Sequence, residues 1–296
     1  MPSSILFIIA SLIWGSTFWA ITQQLGEVSP AVSVAYRFGI AALCLFAWCF
    51  LRGQRLWLAW RVQAWLALQG FFTFALSYVC TYTSEQYIVS ALVAVLFSLM
   101  VIWSPITERI FYQKPLKLRI WMAASVSILG VLMLFYPALK ENWVETHSGH
   151  ETHFLLGLGI ALVATLASTF GNLVVIQVRK HSDDVLLTMA WAMLWGSLLV
   201  ALYAAATGQT FAVPHGLSYW LSLLYLAVFG SVIAFACYFT LIHRIGAQKT
   251  VFIGVITPII SVLLSIKLEN YTPGLIECLG MLLCLSGVIW VLRNKE

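Results

Sequence analysis

The sequence predicts an all-α integral membrane protein, with ten transmembrane helices as two inverted five-helix repeats. Three observations lead there. Of 296 residues, 61% are hydrophobic and 9% charged, where a water-soluble globule carries roughly 25% charged residues. The mean hydropathy is +0.94, and the apolar residues fall in runs near the roughly 20 residues that a helix needs to cross a bilayer. The chain also matches itself. A shift of about 157 positions lays Cys80–Val131 on Cys237–Val288 without a gap, which reads as an internal duplication. Cys80/Cys237, Thr83/Thr240, Ile88/Ile245, Ser104/Ser261 and Gly130-Val131/Gly287-Val288 coincide.

In chain order the ten spans run approximately 4–23, 31–51, 62–82, 87–111, 118–137, 154–177, 185–206, 217–241, 246–267 and 274–292. The first begins almost at once, at Ile5, with no basic segment before it and no clear cleavage site, so it reads as a retained span. Turn formers mark the connections: Ser29-Pro30, Val213-Pro214 and Thr272-Pro273. The longest connection, 138–152, is polar and divides a first repeat (1–137) from a second (153–296). The six cysteines all lie in apolar runs without metal or disulfide spacing, as small core residues.

Lys and Arg in short loops set the orientation. Arg52, Arg55 and Arg61 follow span two, and Arg109, Lys114, Lys117 and Arg119 surround the end of span four. Arg179-Lys180, Arg244 and Arg293/Lys295 follow spans six, eight and ten, while the alternate loops contribute Lys140 and Lys267. Both termini are therefore expected in the cytoplasm of a multi-pass protein of the cell (inner) membrane. Each half has an odd number of spans, so the halves are inverted. That architecture places a substrate site near the midplane, beside interrupted helices. The net charge of +5 belongs to this orienting pattern and is no sign of nucleic-acid binding.

The stretch Ile245–Leu268 carries such an interruption, with Thr257-Pro258 near its middle. Proline removes a backbone donor and clashes with the preceding turn. Thr250, Gly254, Thr257 and Ser261 recur on one helical face, which is expected to line a path through the membrane, with Gly254 and Pro258 permitting gating motion. Val101 lies opposite Pro258 in the first repeat, and Pro105 comes one turn later.

Over essentially its whole length the chain resembles the ten-helix drug/metabolite transporter superfamily, specifically the EamA-type exporters. The resemblance is carried by Ile13-Trp14-Gly15-Ser16-Thr17-Phe18, by Pro30 with Arg37-Phe38, by Tyr82–Leu92, by Thr257-Pro258 and by Gly287-Val288. Trp103 and Pro105 resemble the aromatic amino-acid exporter branch. Val101 stands where the first repeat of that family often has proline, and the usual Gly-Glu after span four is absent. The resemblance implies export of small metabolites, often amino acids, from the cytoplasm.

The candidate substrate-binding residues are Trp14, Thr17, Arg37, Tyr78, Tyr82, Ser168, Asn172, Tyr238, Thr250 and Thr257. Trp14 is either a cavity aromatic or a packed one. Arg37 lies roughly 10 Å into span two. It is expected to hold a substrate carboxylate, to make a gate ion pair with Glu85 or Glu277, or to snorkel to the headgroups. Tyr78, Thr81, Tyr82 and Glu85 form a polar stripe, matched in the second repeat by Phe235, Tyr238, Phe239 and Ile242. Paired aromatic stripes suit planar or amphipathic solutes, though ordinary packing gives the same pattern. Ser168 and Asn172 share a face of span six, and a membrane asparagine wants partners, from neighbouring helices or from a substrate. Glu108-Arg109 pair or reach the cytoplasm, and Lys249 is a solvated positive-inside residue. Glu85 is a gating candidate. Glu277 lies roughly 6 Å into span ten.

His147, His150 and His153, with Glu145 and Glu151 nearby, have a spacing that can bind zinc or copper, but a flexible loop gives it little meaning and no metal is predicted. No cofactor is implied. There is no P-loop, Gly-x-Ser-x-Gly or His-Glu-x-x-His motif, so the chain is not read as an enzyme or as ATP-driven. The partners expected are a small-molecule substrate and the bilayer, with coupling to a proton or a counter-substrate left open. A monomer suffices, and a dimer is compatible. The alternative functions are export of drugs or toxic compounds, against which the lack of a midplane carboxylate counts where the drug is cationic, and a non-transporting membrane component, which would need an effector domain the sequence lacks.

Overall fold

The computed structural model describes residues 2–113, 118–144, 150–245 and 253–293. Their regular elements are all helical: α1 (Ser3–Thr22), α2 (Pro30–Leu51), α3 (Trp60–Gln69), α4 (Ser77–Ser84), α5 (Ser90–Ser98), α6 (Met100–Tyr112), α7 (Leu118–Val144), α8 (His150–Arg179), α9 (Val185–Ala206), α10 (Leu217–Leu224), α11 (Ala234–Ile245), α12 (Ile253–Leu268) and α13 (Leu275–Arg293). Two π-helical turns, π1 (Gly70–Leu76) and π2 (Tyr225–Ile233), join α3 to α4 and α10 to α11 without a break.

Local chemistry sets the ends. Ser29 accepts a hydrogen bond from the Val32 amide, and Pro30, with no N–H to leave unsatisfied, begins α2. Gly53, at φ 69°, takes the left-handed turn after it. The matching helix α9 is built alike. Asp184 caps the Leu187 amide at 3.0 Å, Gly208 turns the far end at φ 72°, and both helices are 22 residues long.

Among the described residues six helical stretches are long and apolar enough to cross a membrane: Ser3–Thr22, Pro30–Leu51, Trp60–Ser84, His153–Arg179, Val185–Ala206 and Leu217–Tyr238. The pair α5 and α6, bent by 41° at Leu99, makes a seventh. Three further apolar stretches among the described residues, Trp121–Met133, Ile256–Leu268 and Leu275–Gly287, are shorter. Ten full-length spans are thus not reached by length and composition. The break between helices falls at Leu99, while Pro258 lies inside the continuous helix α12. Pro105, inside α6, has no amide to bond the turn before it, and that turn reaches back toward the bend. The stretch 138–152, expected as a loop, is partly helical, since α7 continues through 144 and α8 begins at 150. Large side chains such as Leu43, Leu132, Leu198, Leu263 and Leu282 remain exposed, a surface that fits hydrocarbon and not water.

Helices distant in sequence pack together: α2 on α9, α1 on α11 and α12, and α4 on α8. The helices α7 and α13 cross at close range. A Cβ on Gly130 would lie 2.6 Å from the Gly280 carbonyl, and one on Gly287 would lie 2.7 Å from the Ala123 carbonyl. Between them Ser127 donates to the Cys284 carbonyl at 3.0 Å, across a separation of 157 residues. Small residues let helix backbones approach in lipid, where packing and not hydrophobicity drives association. Gly130→Val and Gly287→Val are each expected to cost about 1–3 kcal/mol and to lower the apparent Tm in detergent by several degrees. Gly159→Ala, where a Cβ meets nothing within 4 Å, is the control. Equal melting of all three variants would contradict the crossing.

Candidate functional site

A π turn carries one residue more than the hydrogen-bond ladder uses, so carbonyls and side chains are freed for other partners. In π2, Ser231 donates to the Leu226 carbonyl at 2.9 Å, and the Gly230 carbonyl accepts the Trp14 indole N–H at 3.2 Å. Onto this turn α2 delivers Arg37, only 1% exposed. Its Nε donates to Ser231 Oγ at 3.2 Å, and its Nη1 makes a long bond to the Tyr82 hydroxyl at 3.5 Å. The guanidinium carbon lies 4.7 Å from the Tyr78 ring centroid and 5.3 Å from that of Phe38. Desolvating the cation costs several kcal/mol, and its bonds and ring faces offset that cost. Gly230 makes the approach possible, because a Cβ there would lie 2.9 Å from Thr17 Cγ2 and 3.3 Å from Arg37 Nη2.

Arg37 therefore points inward and does not snorkel. The expected ion pair with Glu85 or Glu277 is not formed, since no carboxylate among the described residues lies within 4.0 Å of it. The reason is local: Glu277 accepts from the Gly274 amide at 2.7 Å and so caps α13.

Aromatic rings continue from the guanidinium across the bundle. Tyr78 meets Phe38 at 4.7 Å, Phe38 meets Phe74 at 4.9 Å, Phe74 meets Phe235 at 5.9 Å and Phe235 meets Trp14 at 5.1 Å. Trp14 also meets Tyr238 at 5.1 Å. Phe38 and Phe74 thus link Tyr78 of one stripe to Phe235 of the other, and Trp14 packs on Phe235 and Tyr238. Trp14, Tyr78 and Tyr238 are half-buried and Tyr82 fully buried. Thr17 is buried, its hydroxyl donating to the Trp14 carbonyl at 2.7 Å.

A second polar cluster lies at one end of the bundle. Glu85, just beyond Trp60–Ser84, is 7% exposed, and neither carboxylate oxygen has a hydrogen-bond partner. Glu269, just beyond α12, accepts from Ser90 in a short bond and from Ser265 at 3.3 Å. Ser90 and Ser265 lie 2.9 Å apart. Burial holds the Glu85 carboxyl well above the usual carboxylate range; the negative charge of Glu269 adds to this and Arg37 opposes it.

Other expected residues fall elsewhere. Thr257 and Ser261 are buried in α12 with unpartnered hydroxyls, and Gly254 of the same face is half-buried, nearest Val101. Thr250, Lys114, Lys117, Lys249 and His147 lie outside the described residues. Ser168 is half-buried and Asn172 is exposed. Asn172 has no hydrogen-bond partner among the described residues, because its neighbour Gly171 is the residue that faces α3 and π1, where a Cβ would lie 3.1 Å from Thr73 Cβ. Among the described residues no group of three metal-binding side chains forms. An apolar groove of about 420 Å³ opens beside α2, lined by Tyr36, Ile40, Val213 and Trp220, and it holds none of the expected residues. Sequence reasoning missed Gly230, Ser231 and Glu269. The first two carried a weak signal, a Gly-Ser pair inside an apolar span.

The family model described as EamA-like transporter family matches residues 1–136 and 155–293. The uncharacterized inner membrane transporter YedA of Escherichia coli (strain K12) is 26% identical over 285 residues, covering 96% of this chain and 88% of that protein. Protein PagO of Salmonella typhimurium is 27% identical over 293 residues, covering 97% and 91%. The uncharacterized transporter YdfC of Bacillus subtilis is 22% identical over 277 residues, covering 93% and 86%. A crystal structure 17% identical in sequence superposes with a TM-score of 0.66 over 99% of both chains, which shows a shared fold.

The Arg37 contacts predict their own test. Ser231→Ala leaves Nε without its acceptor and is expected to cost about 1–3 kcal/mol, read as a lower apparent Tm. Arg37→Lys keeps the charge but loses the fork and the ring stacking, and is expected to cost as much or more. A lysine variant as stable as the parent would show that the fork does nothing.

Proposed function

The chain belongs to the EamA-like transporter family and is a membrane transporter, and on that premise we propose that it exports small amphipathic metabolites, amino acids foremost, from the cytoplasm by alternating access between two inverted five-helix halves. The observation that carries this reading is Arg37, a buried guanidinium of the first half resting on a π turn of the second. Its Nη2 has no protein acceptor among the described residues, which leaves one edge of the fork for an α-carboxylate. The Trp14–Phe235–Tyr238 rings supply faces for an apolar or aromatic side chain. Carbonyls freed in π2 are acceptors of the kind an ammonium group needs.

Several features support the two halves. The family model matches in two stretches, α2 and α9 carry the same kinds of cap, and π1 and π2 interrupt corresponding spans. The inner membrane is the location named for the Escherichia coli relative. The basic loops with Arg52, Arg55, Arg179 and Lys180 favour cytoplasmic termini. Export of cationic drugs has less support, because Glu85, the buried acid, lies at the end of a span and not at its middle.

Proteoliposomes offered labelled aromatic, aliphatic and hydroxy amino acids and one cationic dye, with and without a pH gradient, test the proposal. Saturable amino-acid flux is expected, lowered about tenfold or more in Trp14→Ala and Arg37→Lys, equivalent to about 1.4 kcal/mol or more of barrier. Flux of the dye alone, dependent on the pH gradient, would overturn it.

A further inference from the structure

We propose that Glu85 is a proton-binding latch: the acid is neutral while its end of the bundle is closed and gives its proton to water when that end opens. The step is a simple transfer. The Glu85 O–H bond breaks, a water molecule takes the proton, and the carboxylate is left hydrated; closure reverses it.

Geometry carries the inference. Both Glu85 oxygens are buried and find no donor. An ionised carboxylate in that condition costs several kcal/mol. The two full charges that act on it are Glu269 and Arg37. Arg37 does not neutralise it, because the guanidinium is turned onto Ser231, Tyr82 and the Tyr78 ring. Glu269 repels it. Glu269 itself accepts from Ser90 and Ser265, donors that Glu85 lacks. Two carboxyls with opposite surroundings divide the roles: one holds the charge, the other the proton. Tyr82 on the same helix, Tyr87 with His153 of α8 stacked on it, Lys267 in the last turn of α12, Tyr271 in the connection after Glu269 and Glu277 beside Tyr271 also lie at this end.

The site also spans the closure. Ser90 belongs to α5, and Ser265 and Glu269 lie in and after α12, so a charge on Glu85 strains a contact between the halves. The closed arrangement raises the Glu85 pKa and the open one, being hydrated, restores it. Closure therefore binds one more proton, is favoured at low pH and is lost as the pH rises through the closed-state value. The inference rests on alternating access but on no particular substrate.

Infrared difference spectra of the full chain in lipid nanodiscs test it without transport, so a failed flux assay and a failed latch stay distinguishable. A protonated-carboxyl band at neutral pH is expected, absent in Glu85→Gln and retained in Glu269→Gln. In Glu269→Gln it should titrate at lower pH, since a like charge has gone. Spin labels at exposed Gln86 and Thr272, in a cysteine-free background, should separate as the pH rises, and should stay close at all pH values in Glu85→Gln. No band difference between the parent and Glu85→Gln would overturn the proposal, as would a label distance that ignores pH or an equal response in Glu85→Gln. Closure driven by sodium at fixed pH would overturn the proton assignment in favour of a cation.

Discussion

A buried guanidinium with no carboxylate beside it among the described residues constrains everything near it. Arg37 is among the most buried large side chains of the molecule, and a cation in that position demands acceptors and polarisable faces. The Tyr82 hydroxyl and Tyr78 ring of α4 and the Phe38 ring of α2 supply part of this. The π turn at Tyr225–Ile233 meets the rest of the demand by dislocating the ladder, which puts Ser231 against Nε and leaves the Gly230 carbonyl for Trp14. Gly230 has no side chain because Thr17 and Arg37 occupy that volume. Four elements, α1, α2, α4 and π2, are thereby tied to one cation. Chain order places three in the first half and one in the second.

The same logic of close approach explains the packing further out. Lipid supplies no hydrophobic drive between helices, so contacts are made by letting backbones touch. Gly130 and Gly287 permit this for α7 and α13, and Gly70 and Gly196 do so for π1 and α9, where a Cβ on Gly70 would lie 2.8 Å from the Gly196 amide.

Much of this was legible in the sequence. Composition gave the membrane class, and the Ser29-Pro30 and Thr272-Pro273 pairs marked real helix ends. The residues of each stripe do share a helix face, because helical spacing fixes it, and Phe38 and Phe74 link Tyr78 to Phe235. Arg37 stood out because a charge that deep demands a reason. What could not be read was the partner. Helical periodicity assumes 3.6 residues per turn, and the π turns break that register, so Ser231 points where the sequence pattern does not put it. Asn172 failed for a related reason: which face of a helix packs is decided by Gly171 and the surface it meets, not by the polarity of the next residue. Glu269 escaped notice because a charge at a span end looks solvated until the opposite half, with Ser90, is laid against it.

Transport by alternating access requires the halves to part at the end that holds Glu27, Ser29 and Glu85. There Ser218 donates to Gln23 at 3.3 Å, joining the two halves across the connections. The most direct measurement is flux of an amino acid accumulated by proteoliposomes, in a cysteine-free chain carrying Gln23→Cys and Ser218→Cys, before and after joining the pair with a short reducible cross-linker. Flux lost on cross-linking and restored by reduction is the result predicted. Undiminished flux through the cross-linked protein would contradict the account.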